Sequence, residues 1–440
     1  MTPKSAGPPP GILFDLLLAV LFSVLVGYGA YRGSESIHTI VFEKSSDDVW
    51  FESDQPRIFT CMTNRHAGAH YRSKAHPLFP VMGFLPVYLV RKGFQVDPIA
   101  AVRIVSACVA AAWAALMFAV LRLAGCRRPD AALFTALAAV SATGVFWLVV
   151  PETYKFGSLA ILLALGTIFA AQERNVPSLW YVAMSAMTLA TTVTNWMAGV
   201  FATFAAHPWK KAFQITVNAL CLVVVLWGGQ KYLFPHAAFF IGTHDAEDAD
   251  NLLSPASGGP LPVARSFLFH TMVMPEIKFV DKYRSRQPGW PIMLTQQSGP
   301  GSGSRWGPAA VALWAALLAL GLWALFRSSP HRPARMVLGL TILGQLALHV
   351  AYGDETFLYG LHFAPLLVIL AALGTQTRLR PAVLLLAAAL TLTTAANNRI
   401  QFVKATSYIH SKASSNSPAM PRTAGHPMPV RPAVTGASAR

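Results

Sequence analysis

The apolar residues of this chain come in long uninterrupted blocks, separated by short polar turns and two long polar intervals. The blocks run over 11–31, 98–124, 131–150, 156–173, 178–194, 196–207, 211–233, 306–327, 333–352, 360–376 and 380–396. An α-helix rises about 1.5 Å per residue, so roughly twenty apolar residues span a hydrocarbon core about 30 Å thick. The pattern therefore predicts an all-α polytopic membrane protein with about eleven transmembrane helices. Blocks 178–194 and 196–207 are short and read as a helical hairpin turning at Asn195-Trp196. The first block has no small-residue cleavage site clearly after it and reads as a retained signal-anchor helix. Segment 77–95 is apolar too, but it holds Pro77, Pro80 and Pro86 and ends at Arg91-Lys92. It is expected to lie at the interface, or dip shallowly into it, rather than cross.

Of the 440 residues 54% are hydrophobic and 12% charged, about half the charge of an ordinary soluble chain. That excludes a cytosolic globular enzyme and a disordered chain. Cys61, Cys108, Cys126 and Cys221 offer neither a disulfide framework nor a CxxC zinc pattern. The net charge of +16 would point to nucleic acid in a soluble protein. Here it divides between the two sides of a bilayer, and nucleic acid is not an expected partner. With Lys4 inside and 77–95 not crossing, Arg127-Arg128, Arg174, Lys210-Lys211, Arg327, Arg332, Arg335, Arg378 and Arg380 all fall in inside turns, as the positive-inside rule asks. The polar intervals 32–97 and 235–305 then lie outside, and most acids lie with them. Only Asp15, Asp130 and Glu173 stay at the inner face. The expected setting is a bacterial inner (plasma) membrane, with the working face toward the periplasm. Residues 1–396 form one membrane domain, and the basic, acid-free, Pro/Ser/Ala-rich stretch 397–440 is predicted to be disordered.

The first outer interval carries the chemistry. Asp47, Asp48, Glu52 and Asp54 are followed by Arg57, Arg65, His66, His70, Arg72, Lys74 and His76. Cations near a bilayer surface bind a lipid phosphate, and a nearby carboxylate can take a proton from an acceptor. The bland alternative is a solvated loop whose mixed charges only keep it soluble. At the outer start of a later block, Pro151-Glu152-Thr153-Tyr154-Lys155 could cap and anchor a helix, or set Lys155 on a phosphate with Glu152 as its partner or as a second acid. Arg103 could bind phosphate or snorkel to the interface. His362 stands at a helix start beneath the outer intervals. Asp354 and Glu355 are expected to cap the helix that follows them. Lys278, Lys282, Arg284 and Arg286 form a cationic run facing the membrane.

The order of these features resembles the GT-C superfamily of membrane glycosyltransferases, which includes protein O-mannosyltransferases and the aminoarabinose transferases of lipid A. Lys74-Ala75-His76-Pro77-Leu78 resembles the family's "HPPL" element, which opens a juxtamembrane helix after a large first outer loop. Ser53-Asp54-Gln55-Pro56-Arg57-Ile58-Phe59 looks like its essential acid followed at short spacing by Arg. Residues 97–111 and 121–133 resemble the second span and the inside turn after it. Residues 186–200 occupy the place of "LAFLTKGP", with Asn195 and Trp196 instead of Lys-Gly. Residues 357–370 resemble the "RYLLPLLP" helix start, with His362 where Arg is common. The likeness covers most of 11–396 and lies in the order of short motifs.

The resemblance implies an inverting transfer of sugar from a polyprenyl-phosphate donor to a glycan, lipid or protein acceptor, among membrane lipids. It implies an Asp general base, Asp54 first and Asp48 or Asp47 as rivals. It also implies a donor-binding set drawn from Arg57, Arg72, Lys74, His76, Arg103, Tyr154, Lys155 and His362, with Glu152 as a further acid. No cofactor is required by the pattern. No metal-ligand spacing is present, although family members differ on divalent metal, and His66, His70 and the acids could supply ligands. The alternatives are a transporter or lipid flippase, which would place ionisable groups and broken helices near the midplane, and a structural assembly subunit.

Overall fold

A computed structural model describes residues 10–43, 48–242, 251–280, 290–327 and 331–416. Helix α1 (Pro10–Glu35) has no polar face: Leu13, Leu17, Val20, Val24 and Leu25 are all more than half exposed. Such a surface is unfavourable in water and costs nothing against lipid tails. Two helices, α2 (Gln55–Thr63) and α3 (Phe79–Phe94), follow in the first polar interval. Helix α4 (Pro98–Leu123) packs along α1. It starts at Asp97, whose carboxylate accepts from the amides of Ile99 (2.8 Å) and Ala100 (3.0 Å). Pro98 sits at the first helical position, where its missing N–H is not needed. The chain continues through α5 (Arg128–Val140), α6 (Ala142–Trp147), α7 (Tyr154–Ala170), α8 (Ser178–Thr191), α9 (Trp196–Ala206) and α10 (Trp209–Leu233). The second polar interval holds α11 (Pro260–Arg265) and a small antiparallel hairpin, β1 (Lys278–Val280) with β2 (Ile292–Leu294), in which Lys278 faces Leu294. Four more helices follow among the described residues: α12 (Gly307–Leu325), α13 (Arg332–Ala351), α14 (Gly360–Ala372) and α15 (Arg380–Asn416).

Among the described residues seven helical segments are long and apolar enough to cross a membrane: Gly11–Glu35, Pro98–Leu123, Trp209–Leu233, Gly307–Leu325, Arg332–Ala351, Thr356–Gln376 and Arg380–Ser415. The architecture is that of an all-α polytopic membrane protein. The other four expected spans take a different form. Block 131–150 is broken at Ser141, whose hydroxyl accepts from the Gly144 amide (3.1 Å) to start α6. The freed amides of Ala142 and Thr143 reach across to the carbonyls of Met272 (2.9 Å) and Thr271 (3.0 Å) in the second polar interval. Helices α7, α8 and α9 have 17, 14 and 11 residues. The last two form the expected hairpin, through a turn at Val193–Asn195.

The C-terminal stretch corrects an expectation. Residues 397–416 are helix, the continuation of α15, which runs unbroken for 37 residues, and 417–440 lie outside the described residues. Buried polar side chains hold it. Asn397 donates to Met274 O (2.8 Å), and Asn398 accepts from Met274 N (2.8 Å) and donates to Met272 O (3.0 Å). Gln401 bonds the carbonyl of Gly303. An isolated reading of composition misses such a helix because its stability comes from these partners.

Helix ends sort into two groups. At one end Asp15 of α1 pairs with Arg122 (3.2 Å) and Arg128 (2.7 Å), and Asp130 of α5 pairs with Arg380 of α15 (2.6 Å). Arg335 of α13 reaches Gln376 (2.7 Å), and Gln376 reaches Ala124 O (2.6 Å). Asp15 thus ties the basic ends of α4 and α5 to its own helix α1. The opposite end gathers the two polar intervals. There Trp50 and Phe51 of the first interval plug into an aromatic cluster with Phe146, Trp147, Phe357 and Phe402.

Candidate functional site

On top of that aromatic cluster lies a polar cavity of about 180 Å³. Its first wall is the segment 48–54. Asp48, Phe51 and Glu52 have φ of 70°, 53° and 58°, a left-handed conformation costing roughly 1 kcal/mol or more for residues with a Cβ. Phe51 is fully buried among the aromatics, and its anchoring holds the strained turn in place. Asp48 and Glu52, to either side, line the cavity.

Asp54 stands at the start of α2, with no capping bond to that helix. Its two oxygens are instead held by Arg57 (3.1 Å) and Arg72 (2.7 Å). Burial alone would weaken the hold of Arg72 on its proton; Asp54 beside it more than offsets this, and the guanidinium stays charged. Lys74 lines the same wall, with its ammonium 5.7 Å from the Tyr71 ring centre.

The second wall is Glu152-Thr153-Tyr154, between α6 and α7. Glu152 is buried; it accepts from Thr153 N (2.7 Å), Thr153 Oγ1 (3.0 Å) and Gln55 Nε2 (3.0 Å). Burial pushes its carboxyl up to about 7, with the Thr153 amide pulling back and the charge of Asp54 adding to the rise. The Tyr154 ring packs against Tyr359 (5.3 Å) and His362 (5.2 Å).

The third wall joins α13 to α14 and brings in residues that sequence reasoning did not assign to the site: Asn251, Tyr352, Asp354, Glu355, Leu358 and Tyr359. Contrary to expectation, the Glu355 side chain makes no capping bond to the helix after it. Its buried carboxylate accepts from Thr295 N (2.8 Å), Thr295 Oγ1 (2.6 Å) and Gln296 N (3.0 Å), clamping the second polar interval over the cavity. Burial raises its pKa, with the Thr295 and Gln296 donors acting the other way. The available signal was an acid pair, Asp354-Glu355, with no cation beside it in sequence.

Eight of the expected site residues thus share one cavity: Asp48, Asp54, Arg57, Arg72, Lys74, His76, Glu152 and Tyr154. Their roles shift in two places. Arg57 and Arg72 hold Asp54 here. His76, expected as a cation, is buried; burial first, and Arg72 second, hold its pKa down to about 4, so it is neutral. Its Nδ1 faces Thr191 O (2.9 Å) and its Nε2 faces Thr153 Oγ1 (3.3 Å), which makes it a brace between two helix ends.

Three expected phosphate ligands do not line the cavity. Lys155 is buried behind it, donating to Leu148 O (3.3 Å) because its place on α7 turns it into the bundle. His362 is buried beneath Tyr154, and a Cβ on Gly157 would fall 2.5 Å from its Nε2. Arg103 donates to Ile37 O (3.2 Å), tying α4 to the first polar interval. Asp47, Lys282, Arg284 and Arg286 lie outside the described residues. Among the described residues no group of three or more His, Cys, Asp or Glu is arranged to hold a metal ion. His70 bonds Asn64 O (2.9 Å) and does not line the cavity.

The arrangement can hold an anion against Arg57, Arg72 and Lys74 while offering carboxylates of two kinds, ion-paired and buried. Compared with known proteins, the chain matches no family model, no curated protein and no solved structure.

Proposed function

We propose that the chain is a membrane glycosyltransferase of the GT-C kind, moving a sugar from a polyprenyl-phosphate donor to an acceptor hydroxyl or amine. The observation that carries this reading is the placement of Asp54 in a polar cavity at the end of a helical membrane bundle, between Arg57 and Arg72 and beside Lys74. In the reaction the donor phosphate takes over the two arginines and the lysine, which frees the Asp54 carboxylate. The acceptor O–H or N–H gives its proton to Asp54 as its heteroatom bonds the anomeric carbon from the face opposite the phosphate. The carbon–oxygen bond to phosphate breaks, and polyprenyl phosphate leaves with the electron pair, its charge met by the cations. One inversion results.

The orientation belongs to the same proposal. The helix ends alternate between the basic group and the cavity group, which supports eleven passes with α5–α6 counted as one. Because basic residues mark the inside, the cavity faces the periplasm of a bacterial inner membrane. A carrier is the second reading, favoured by the buried polar contact of Asn195 Oδ1 with Gln345 Nε2 (3.0 Å) inside the bundle.

Purified protein offered a panel of polyprenyl-phosphate sugars separates these readings. Consumption of one donor is expected, and Asp54→Asn should lower its turnover by about 10²–10⁴ while donor binding persists. If no donor is consumed by the wild type, the enzyme reading fails. If Asp54→Asn stays near wild type, the base is misassigned.

A further inference from the structure

At the basic end of the bundle, away from the cavity described above, a groove of about 720 Å³ runs between α12 and α13. That volume is in the range of sites for small organic ligands. Leu322, Phe326, Met336 and Leu343 make it apolar, and Arg327, Arg332 and Arg335 stand along it. A polar recess of about 180 Å³ shares Arg327 and Arg335 with the groove and adds Gln376 and Arg378. Among the described residues no carboxylate lines either space, and none pairs with these arginines.

The shared wall is built in place. Arg335 is buried and donates to Ala324 O (2.7 Å) and Gln376 Oε1 (2.7 Å), which fixes its guanidinium where groove and recess meet. Its Nε has no hydrogen-bond partner among the described residues. Arg327 lies over the Trp323 ring, 4.6 Å from its centre. An apolar trough leading to a recess with several cations and no acid is complementary to one kind of molecule, an amphiphile with an anionic head. A topology signal alone needs charges in a turn; it needs neither a trough nor a fixed guanidinium.

We propose that this end binds one anionic phospholipid, its headgroup in the recess among the arginines and an acyl chain in the groove. The proposal is independent of the glycosyltransferase reading.

Full-length protein, purified and stripped of lipid in detergent, is titrated with phosphatidylglycerol, with phosphatidylcholine of the same chains, and with inorganic phosphate. Bound lipid is read by native mass spectrometry. Phosphatidylglycerol should bind one per chain and roughly tenfold or more tighter than phosphatidylcholine, since each basic residue near a bilayer surface favours an anionic lipid severalfold. Phosphate should not displace it. Arg327→Gln with Arg378→Gln should erase the preference. Gly339→Phe fills the groove at a position where a Cβ meets only Leu325, at 3.6 Å; it should weaken phosphatidylglycerol binding with every arginine intact and thermal unfolding unchanged. Equal binding of the two lipids, a preference that survives the double arginine substitution, or displacement by phosphate overturns the proposal.

Discussion

Glu152 sits where a carboxylate is least at home, buried and touched by only three donors. An ordinary carboxyl of its kind titrates near 4.5, and burial moves it to about 7. Between those values the folded chain holds a proton that the unfolded chain has released. Stability therefore falls as pH rises through that window. Gln55 Oε1, buried without a partner among the described residues, can accept from a protonated Glu152 once its amide rotates. His76 acts in the opposite sense. Its folded pKa of about 4 lies below the ordinary 6.5, so stability is lost as pH falls through that range. A wild-type profile mixes the two, and a comparison with Glu152→Gln isolates the first. From pH 4.5 to 7.5 the unfolding free energy of the variant should gain on wild type by on the order of 2–3 kcal/mol. Parallel denaturation curves across that range would mean that Glu152 keeps its charge in the fold. His76 also marks a limit of sequence reading: its place after Lys74 was legible, but its neutrality follows from burial against Thr191 and Thr153, which no local pattern encodes.

Among the elements, α15 shows how far periodicity reaches. A helix of 37 residues is about 55 Å long, well beyond a hydrocarbon core of about 30 Å. Its first half was legible as an apolar block. Its second half is polar and Ser-rich, and it forms because the backbone of the second polar interval offers groups for Asn397, Asn398 and Gln401 to satisfy. Such pairing joins residues more than a hundred positions apart, so sequence alone could not announce it. The same holds for Ser141, where an apolar run breaks because distant carbonyls take over its amides. Asn398→Leu tests the point. It leaves Met274 N and Val140 O without their side-chain partner, while Met272 O keeps the Ala142 amide, and each buried group so orphaned costs about 1–3 kcal/mol. We expect destabilisation of roughly 2 kcal/mol or more, with faster proteolysis in 251–305 than in the wild type. Unchanged proteolysis in that interval would show that its fold does not depend on α15.

For the whole molecule, the +16 charge has an address. At the basic end Arg122, Arg128 and Arg380 neutralise Asp15 and Asp130, and among the described residues Arg327, Arg332, Arg335 and Arg378 line spaces that hold no carboxylate. At the cavity end six carboxylates, Asp48, Glu52, Asp54, Glu152, Asp354 and Glu355, share one space with three cationic side chains. In the proposed orientation the first pattern marks the cytosolic side, and the protruding half of α15 lies outside with the cavity. There Lys404 meets Glu276 (3.5 Å) and Tyr408 stacks on Phe279. Its cations are compatible with that proposed orientation, since they belong to a folded helix end and not to a short loop that sets orientation. Cysteine accessibility decides this. In a chain with Cys108 and Cys221 replaced by serine, Ser414→Cys and Arg174→Cys put thiols at exposed positions on α15 and on the turn after α7. A membrane-impermeant thiol reagent applied to right-side-out vesicles should label Ser414→Cys and spare Arg174→Cys until the membrane is opened. The reverse order would put the cavity in the cytosol and remove the periplasmic setting from the proposed reaction.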